Sequence, residues 1–118
     1  MGSSLIERLR AAGADMDGAM DRLCGDEDLY ASCLAYFLSD PAFDALGAAL
    51  DAGNYAAAFE SAHALKGVAG NLGLTKCYQL CCALVEPLRG GAPDGADLAG
   101  ACRALLEYRE ALRAIAQA

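Results

Sequence analysis

Apolar residues recur every three or four positions along most of this 118-residue chain, and short runs containing Gly, Pro, Asp or Asn interrupt them. This spacing places apolar side chains on one face of an α-helix. The most regular stripe consists of Tyr55, Ala58, Ala62, Leu65, Ala69 and Leu72. The sequence has no convincing strand pattern, so the spacing predicts an all-α protein.

The interruptions predict where the helices begin and end. Side chains that can cap a helix N-terminus stand at Ser4, Asp26, Asn54 and Thr75. Glycines that can end a helix stand at Gly13, Gly25, Gly53 and the Gly90-Gly91 pair. A second short helix is predicted over residues 16–24. Pro41 should open the fourth helix, and Pro87 should kink or fray the end of the sixth. A loop at Pro93 leads into a last helix over roughly 96–116.

Short connections between long helices place consecutive helices antiparallel. We therefore expect an antiparallel up-down four-helix bundle with one or two short N-terminal helices packed against it. A single domain over residues 1–118 is expected, with the bundle core at about 26–116. Hydrophobic residues make up 56% of the chain and Trp is absent, so Ala and Leu should build most of the core.

Three sets of side chains are predicted to be buried outside the stripe described above. On the third helix they are Leu29, Cys33, Tyr36 and Phe37. On the last helix they are Leu98, Cys102, Leu105, Leu106, Leu112 and Ile115. The aromatic residues expected to anchor the core are Tyr30, Tyr36 and Phe37. Asp26, Glu27 and Asp28 lie at a helix start, where carboxylates stabilise the helix dipole.

The net charge of −7 argues against binding to nucleic acid or to anionic membranes, and it favours a basic or mixed-charge protein partner. No run approaches the roughly 20 apolar residues of a membrane span, and the N-terminus lacks the apolar core of a secretory signal. Gly2 could begin a myristoylation motif, but Ile6 stands where Ser or Thr is required. A cytoplasmic monomer is expected.

The six cysteines mostly replace Ala or Leu within helical patterns, which predicts buried thiols in a reducing compartment. They are Cys24, Cys33, Cys77, Cys81, Cys82 and Cys102. An alternative is a metal- or redox-responsive helical protein, with Cys102 facing the group at 77–82. Paired Cys-x-x-Cys ligands are missing from the sequence, so no metal site is predicted.

The only histidine, His63, precedes glycines at four, seven and ten residues along the same helix. Each interior glycine costs a helix roughly 0.8–1 kcal/mol relative to Ala, so these glycines call for an explanation. At about 100° per residue, His63 points roughly 140° away from the apolar stripe, toward solvent. Lys66 and Gly67 lie one turn further on, and Gly70 follows on the same strip. A neutral imidazole is a nucleophile, a nearby ammonium can stabilise a phosphoryl group, and a bare backbone admits a partner.

The run "HALKGVAGNLGL" resembles the motif of histidine-containing phosphotransfer (HPt) domains of bacterial phosphorelays. That motif is His-x-Leu-Lys-Gly, followed by a glycine six residues later. The flanking runs "GDEDLY" and "ALDAGNYAAAFESAH" are similar to the family's flanks. The resemblance covers about residues 16–116, nearly the whole chain.

The resemblance implies that His63 is phosphorylated on its exposed ring nitrogen, with Lys66 beside the phosphoryl group. Gly67 would make room for the partner, Gly70 would help its approach, and Gly73 would end or tighten the helix. Phe59, one turn before the histidine, is either an apolar rim for the partner or a core residue.

Family members often place Gln or Glu on the next helix to hydrogen-bond the histidine ring. At the expected register this chain has Val85, with Glu86 beside it. Glu86, Gln79 or a water molecule could take that role, which stays unassigned.

The implied protein is a phosphocarrier rather than an enzyme, since the sequence contains no ATP-binding glycine loop. The implied partners are receiver domains of response regulators and a hybrid sensor histidine kinase. No cofactor is expected, because the Mg²⁺ that the aspartate reaction needs would belong to the receiver. A scaffold that binds receivers without transferring phosphate is a further alternative.

Overall fold

Seven α-helices make up the secondary structure of the computed structural model, which describes residues 4–90 and 97–118. They are α1 (Leu5–Ala11), α2 (Met16–Arg22), α3 (Glu27–Leu38), α4 (Ala42–Asp51), α5 (Tyr55–Asn71), α6 (Thr75–Leu88) and α7 (Leu98–Gln117). The predicted all-α fold is confirmed, and the helix boundaries lie within two residues of the predicted ones. The predicted loop at Pro93, the glycine at 91 and the helix start at 96 fall outside the described residues.

Side-chain caps begin five of the described helices. In each of them the side-chain oxygen accepts a hydrogen bond from the backbone N–H three residues further on. Three of these caps were predicted from the sequence: Ser4, Asp26 and Asn54. Two further caps of this kind are Asp15 and Asp97. The prediction for Thr75 was wrong, because Thr75 is the first residue of α6 and Leu74 occupies the cap position. Leu74 has no capping side chain. Its backbone N–H donates to the Ala69 carbonyl at 2.9 Å, which closes the turn before α6, and its side chain is buried.

Two arginines tie the ends of other helices to the rest of the fold. The guanidinium of Arg22, on α2, donates to the carbonyls of Asn71 and Gly70 at 3.0 Å each. Arg113, on α7, donates to the carbonyl of Leu38 at 2.7 Å. The last carbonyls of a helix lack intrahelical partners and carry the negative end of its dipole. The two guanidinium groups therefore satisfy and stabilise the C-terminal ends of α5 and α3.

The longer C-terminal helices pack around a shared core. Helix α4 contacts α5, α5 contacts α6, α6 contacts α7, and α7 returns to contact α4. Helices α1 and α3 also contact α7, and α1 contacts α2. Side chains from all seven helices join one hydrophobic cluster among the described residues. Its members on α5 are the predicted ones, Ala58, Ala62, Leu65 and Ala69. The small alanines let the neighbouring helices approach α5 closely.

The buried face of α3 agrees only in part with the prediction, since Tyr30 and Phe37 are buried as expected. Tyr36 is 85% exposed and Leu29 is 44% exposed, so these two predictions were wrong. The buried side chains of α3 are Tyr30, Leu34, Phe37 and Leu38. The hydroxyl of Tyr30 donates to the Leu72 carbonyl at 2.6 Å, which places this face of α3 over the end of α5.

The buried face of α7 agrees in part with the prediction. Cys102, Leu105 and Leu112 are buried, whereas Leu98, Leu106 and Ile115 are half-buried against the core. Pro87 lies in the last turn of α6, one residue before that helix ends. In the part of the chain that the structure describes, no helix combines the length and the apolar character that crossing a membrane requires.

Candidate functional site

The side chain of His63 projects into solvent from the middle of α5. The opposite face of this helix is fully buried, which prevents α5 from rotating about its axis. The cap at Asn54 accepts from the Ala57 N–H at 3.2 Å and defines where α5 begins. The predicted orientation of His63 is therefore confirmed, and a rigid helix presents its imidazole to the outside.

One aromatic contact restrains the His63 ring. The Phe59 ring stacks on it with centroids 5.6 Å apart and planes inclined by 29°. Phe59 is half-buried, and the guanidinium carbon of Arg89 lies 5.7 Å from its centroid. Within residues 4–90 and 97–118, no side-chain hydrogen bond or ion pair engages the imidazole. Its ring nitrogens are therefore open to a reaction partner.

Lys66 follows His63 by about one helical turn on α5. Lys66 is half-buried, and its Nζ sits 5.8 Å from the centroid of the Tyr78 ring on α6. None of the ion pairs among the described residues involves Lys66. The positive charge beside His63 is thus held over an aromatic face rather than neutralised by a carboxylate.

The three glycines after His63 have three different surroundings. A Cβ at Gly67 would meet no heavy atom within 4 Å, so the surface beside Lys66 is open there. A Cβ at Gly70 would lie 3.3 Å from Cδ2 of Tyr78, so this backbone packs against the ring. Gly73 is buried with φ of +70°, and its carbonyl accepts from the Asp15 N–H at 2.8 Å. Gly73 ends the helix as predicted, whereas docking roles for Gly67 and Gly70 stay predictions.

The residues considered as partners of the histidine ring occupy separate environments. Val85 is fully buried and faces the core. Glu86 is exposed and pairs with Arg89 at 3.5 Å. Gln79 is exposed on the surface of α6. The role of ring partner therefore stays unassigned.

The cysteines are free thiols that contribute mainly to packing. Cys77, Cys81 and Cys102 are buried as predicted, and Cys33 and Cys82 are half-buried. The prediction was wrong for Cys24, which is exposed because it lies in the turn between α2 and α3. Within the described ranges, no three His, Cys, Asp or Glu side chains lie close enough together to hold a metal ion. The hydrogen bond with Cys77, together with burial, raises the pKa of Cys81. Burial disfavours the charged thiolate, as expected for a sulfur packed in the core.

Two residues of the site were not predicted from the sequence. Tyr78 lies on α6 and Arg89 directly follows that helix, and they contact Lys66 and Phe59 of α5, respectively. They lie three helical turns apart, so they share one face of α6. That spacing is visible in the sequence. Pairing it with the correct residues of α5 requires the register between the two helices.

Known proteins provide an independent comparison for this arrangement. Residues 39–118 match the family described as the Hpt domain. No curated protein and no solved structure matches the chain. The matched region contains His63, Lys66 and the glycines that follow them, and it includes all of α4 to α7. Because the match covers well over half of the sequence, this chain belongs to the Hpt domain family.

Proposed function

We propose that this chain is a phosphorelay intermediate in which His63 carries the phosphoryl group. It would accept this group from a receiver-domain aspartate or a hybrid sensor histidine kinase and pass it to a response regulator. Hpt domains are phosphocarrier modules of two-component signalling that interact with receiver domains and kinases. The observation that carries the proposal is the exposed imidazole at the centre of α5, one turn from Lys66 and the open backbone of Gly67.

The reaction is an in-line displacement at phosphorus. A lone pair of the His63 ring nitrogen forms the new N–P bond while the P–O bond to the aspartate breaks. The aspartate leaves as a carboxylate with the electron pair of that bond. Transfer to the next receiver reverses these steps, with that receiver's carboxylate as the nucleophile. Positioning and charge stabilisation supply most of the catalysis in such transfers.

Lys66 is the group of this chain that would stabilise charge on the transferring phosphoryl oxygens. Its position at i+3 from His63 places both side chains on one face of α5. The Mg²⁺ that the aspartate side requires would be bound by the receiver domain. The chain itself is a carrier without a cofactor of its own.

The surface around Gly67 is where a receiver domain would approach. The open space above its backbone would allow a partner to come near the helix axis of α5. Phe59 would border that surface on the other side of the imidazole, and Gly70 lies one turn beyond Gly67. We further infer that α4 to α7 form an antiparallel up-down bundle, and that the protein works as a cytoplasmic monomer.

Phosphate labelling of the His63→Gln variant tests the carrier role. The variant should fold normally, because the replaced side chain is exposed, and it should lose all phosphate incorporation. In the native protein the label should be acid-labile and alkali-stable, as a phosphoramidate is. A variant that still takes up label would overturn the proposal, and a native protein that binds receivers without labelling would support a scaffold.

A pair of Gly67 variants tests the docking surface with two donors. Gly67→Gln should slow transfer from a phosphorylated receiver by roughly tenfold or more, because its side chain fills the open space. Labelling by acetyl phosphate or phosphoramidate should stay within about twofold of native, since a small donor needs no docking. Gly67→Ala, which adds a single methyl group, is the matched control. Equal rates from the receiver for both variants and native protein would refute the docking role.

A further inference from the structure

The Tyr78 ring lies beneath the ammonium group of Lys66. The two groups are 5.8 Å apart, within the range where a cation is attracted to an aromatic face. Tyr78 is 38% exposed, and it comes from α6 whereas Lys66 comes from α5. The contact therefore links the charged group beside His63 to the neighbouring helix.

The backbone of Gly70 provides the space for this ring. A Cβ on Gly70 would lie 3.3 Å from Cδ2 and 3.5 Å from Cε2 of Tyr78. Any larger residue at position 70 would push the ring away from its present place. Arg22 also donates to the Gly70 carbonyl at 3.0 Å, so the strip of backbone under the ring is itself held from α2.

We propose that Tyr78 is a positioning residue that holds the Lys66 ammonium ready for the phosphoryl group on His63. This inference rests on the proposed function. Lysine is a flexible side chain with a compact charge, so an unrestrained Lys66 would sample many positions around α5. A carboxylate could also restrain it, but would compete with the phosphoryl oxygens for its charge. An aromatic face restrains the ammonium and leaves its hydrogen-bond donors available.

The contact can be measured directly by NMR on the full chain. The chain contains two lysines, and Lys76 serves as the internal reference for Lys66. The Cε protons of Lys66 should show a ring-current shift in native protein and in Tyr78→Phe, and lose it in Tyr78→Leu. The Lys76 signals should not change. An unchanged Lys66 signal in Tyr78→Leu would overturn the proposal, whatever the protein does with phosphate.

Labelling by phosphoramidate tests the consequence for transfer. Its P–N bond breaks as the bond to the His63 ring nitrogen forms, and the nitrogen, which is already protonated in the reactive form of this donor, leaves as ammonia with the electron pair of the broken bond. Tyr78→Leu should slow labelling roughly two- to fivefold, the range expected from one exposed cation–π contact. Tyr78→Phe, which keeps the aromatic face, should restore the native rate. Thermal melts of both variants check that the fold persists.

The decisive comparison repeats the Tyr78 substitution in a Lys66→Ala background. If Tyr78 acts through Lys66, Tyr78→Leu should have no further effect on labelling there. An equal slowing in both backgrounds would assign Tyr78 a general packing role and refute the proposal. Native protein that takes label from none of phosphoramidate, acetyl phosphate and a phosphorylated receiver domain would refute the proposed function instead. The ring-current shift of the Lys66 Cε protons would still decide whether Tyr78 holds the ammonium.

Discussion

Replacing Gly67 with alanine should make the protein more stable. Gly67 lies in the interior of α5, is exposed, and has open space where the new methyl group would stand. Under those conditions the change mainly restricts the unfolded chain, which stabilises a protein by about 0.4–1 kcal/mol. For a chain of this length, the melting temperature should rise by about 2–4 °C.

The other two glycines of the motif are matched controls with different expected outcomes. At Gly70 the new methyl group would press on the Tyr78 ring, so the gain in helix propensity should be offset and the melting temperature nearly unchanged. At Gly73 the backbone is left-handed, and a Cβ would overlap with the carbonyl oxygen of Asp15. Gly73→Ala should therefore destabilise the fold by roughly 2 kcal/mol or more.

Thermal and urea unfolding, followed by far-UV circular dichroism, would rank the three variants against native protein. We expect Gly67→Ala to be the most stable of the four proteins, native protein and Gly70→Ala to be about equal, and Gly73→Ala to be the least stable. A Gly67→Ala variant that melts below native protein would refute the reasoning, because its site would then be packed in solution. A native-like Gly73→Ala would contradict the left-handed turn after α5.

Three further predictions concern charge, a buried hydroxyl and the thiols. Lys66→Ala should slow phosphoryl transfer roughly tenfold or more yet leave some labelling, and a native rate would make Lys66 an ordinary surface charge. Tyr30→Phe should cost about 1–2 kcal/mol in urea unfolding at neutral pH, because the Leu72 carbonyl loses its donor. Burial raises the pKa of Tyr30 in the folded protein, so above a pH of about 10 only the unfolded chain ionises there and the stability of the native protein should fall. The difference in unfolding free energy between native protein and Tyr30→Phe should therefore narrow above that pH, and a constant difference would contradict this. After brief treatment with a thiol reagent, mass spectrometry should find Cys24 modified, whereas the buried Cys81 should be modified only when the protein is unfolded. Modification of Cys81 in the folded protein within that brief treatment would argue against its burial.

Much of the fold could be predicted from local sequence signals. The stripe on α5 is regular, so its period alone places Leu65 inside and His63 outside. Caps at Asp26 and Asn54 act within one helical turn and were found for the same reason. These signals depend only on residues close together in the chain, and the motif after His63 is one of them.

The face that α3 buries illustrates a decision that local signals leave open. Leu29 and Tyr36 follow a helical period as well as Tyr30 and Phe37 do, so either pair could have faced the core. The end of α5 favours the second pair, because the Leu72 carbonyl provides an acceptor for the Tyr30 hydroxyl. A buried tyrosine needs such a partner, and only the packed structure brings the two groups together.

The neighbours of the candidate site were decided in the same way. His63 and Lys66 were identified by their spacing, whereas Tyr78 reaches Lys66 across the boundary between α5 and α6. The sequence alone determined which side chains α5 presents, because helical periodicity is a local property. The tertiary structure decided which residues of other helices contact those side chains, because the rotation and register of one helix against another depend on the packing of the whole core.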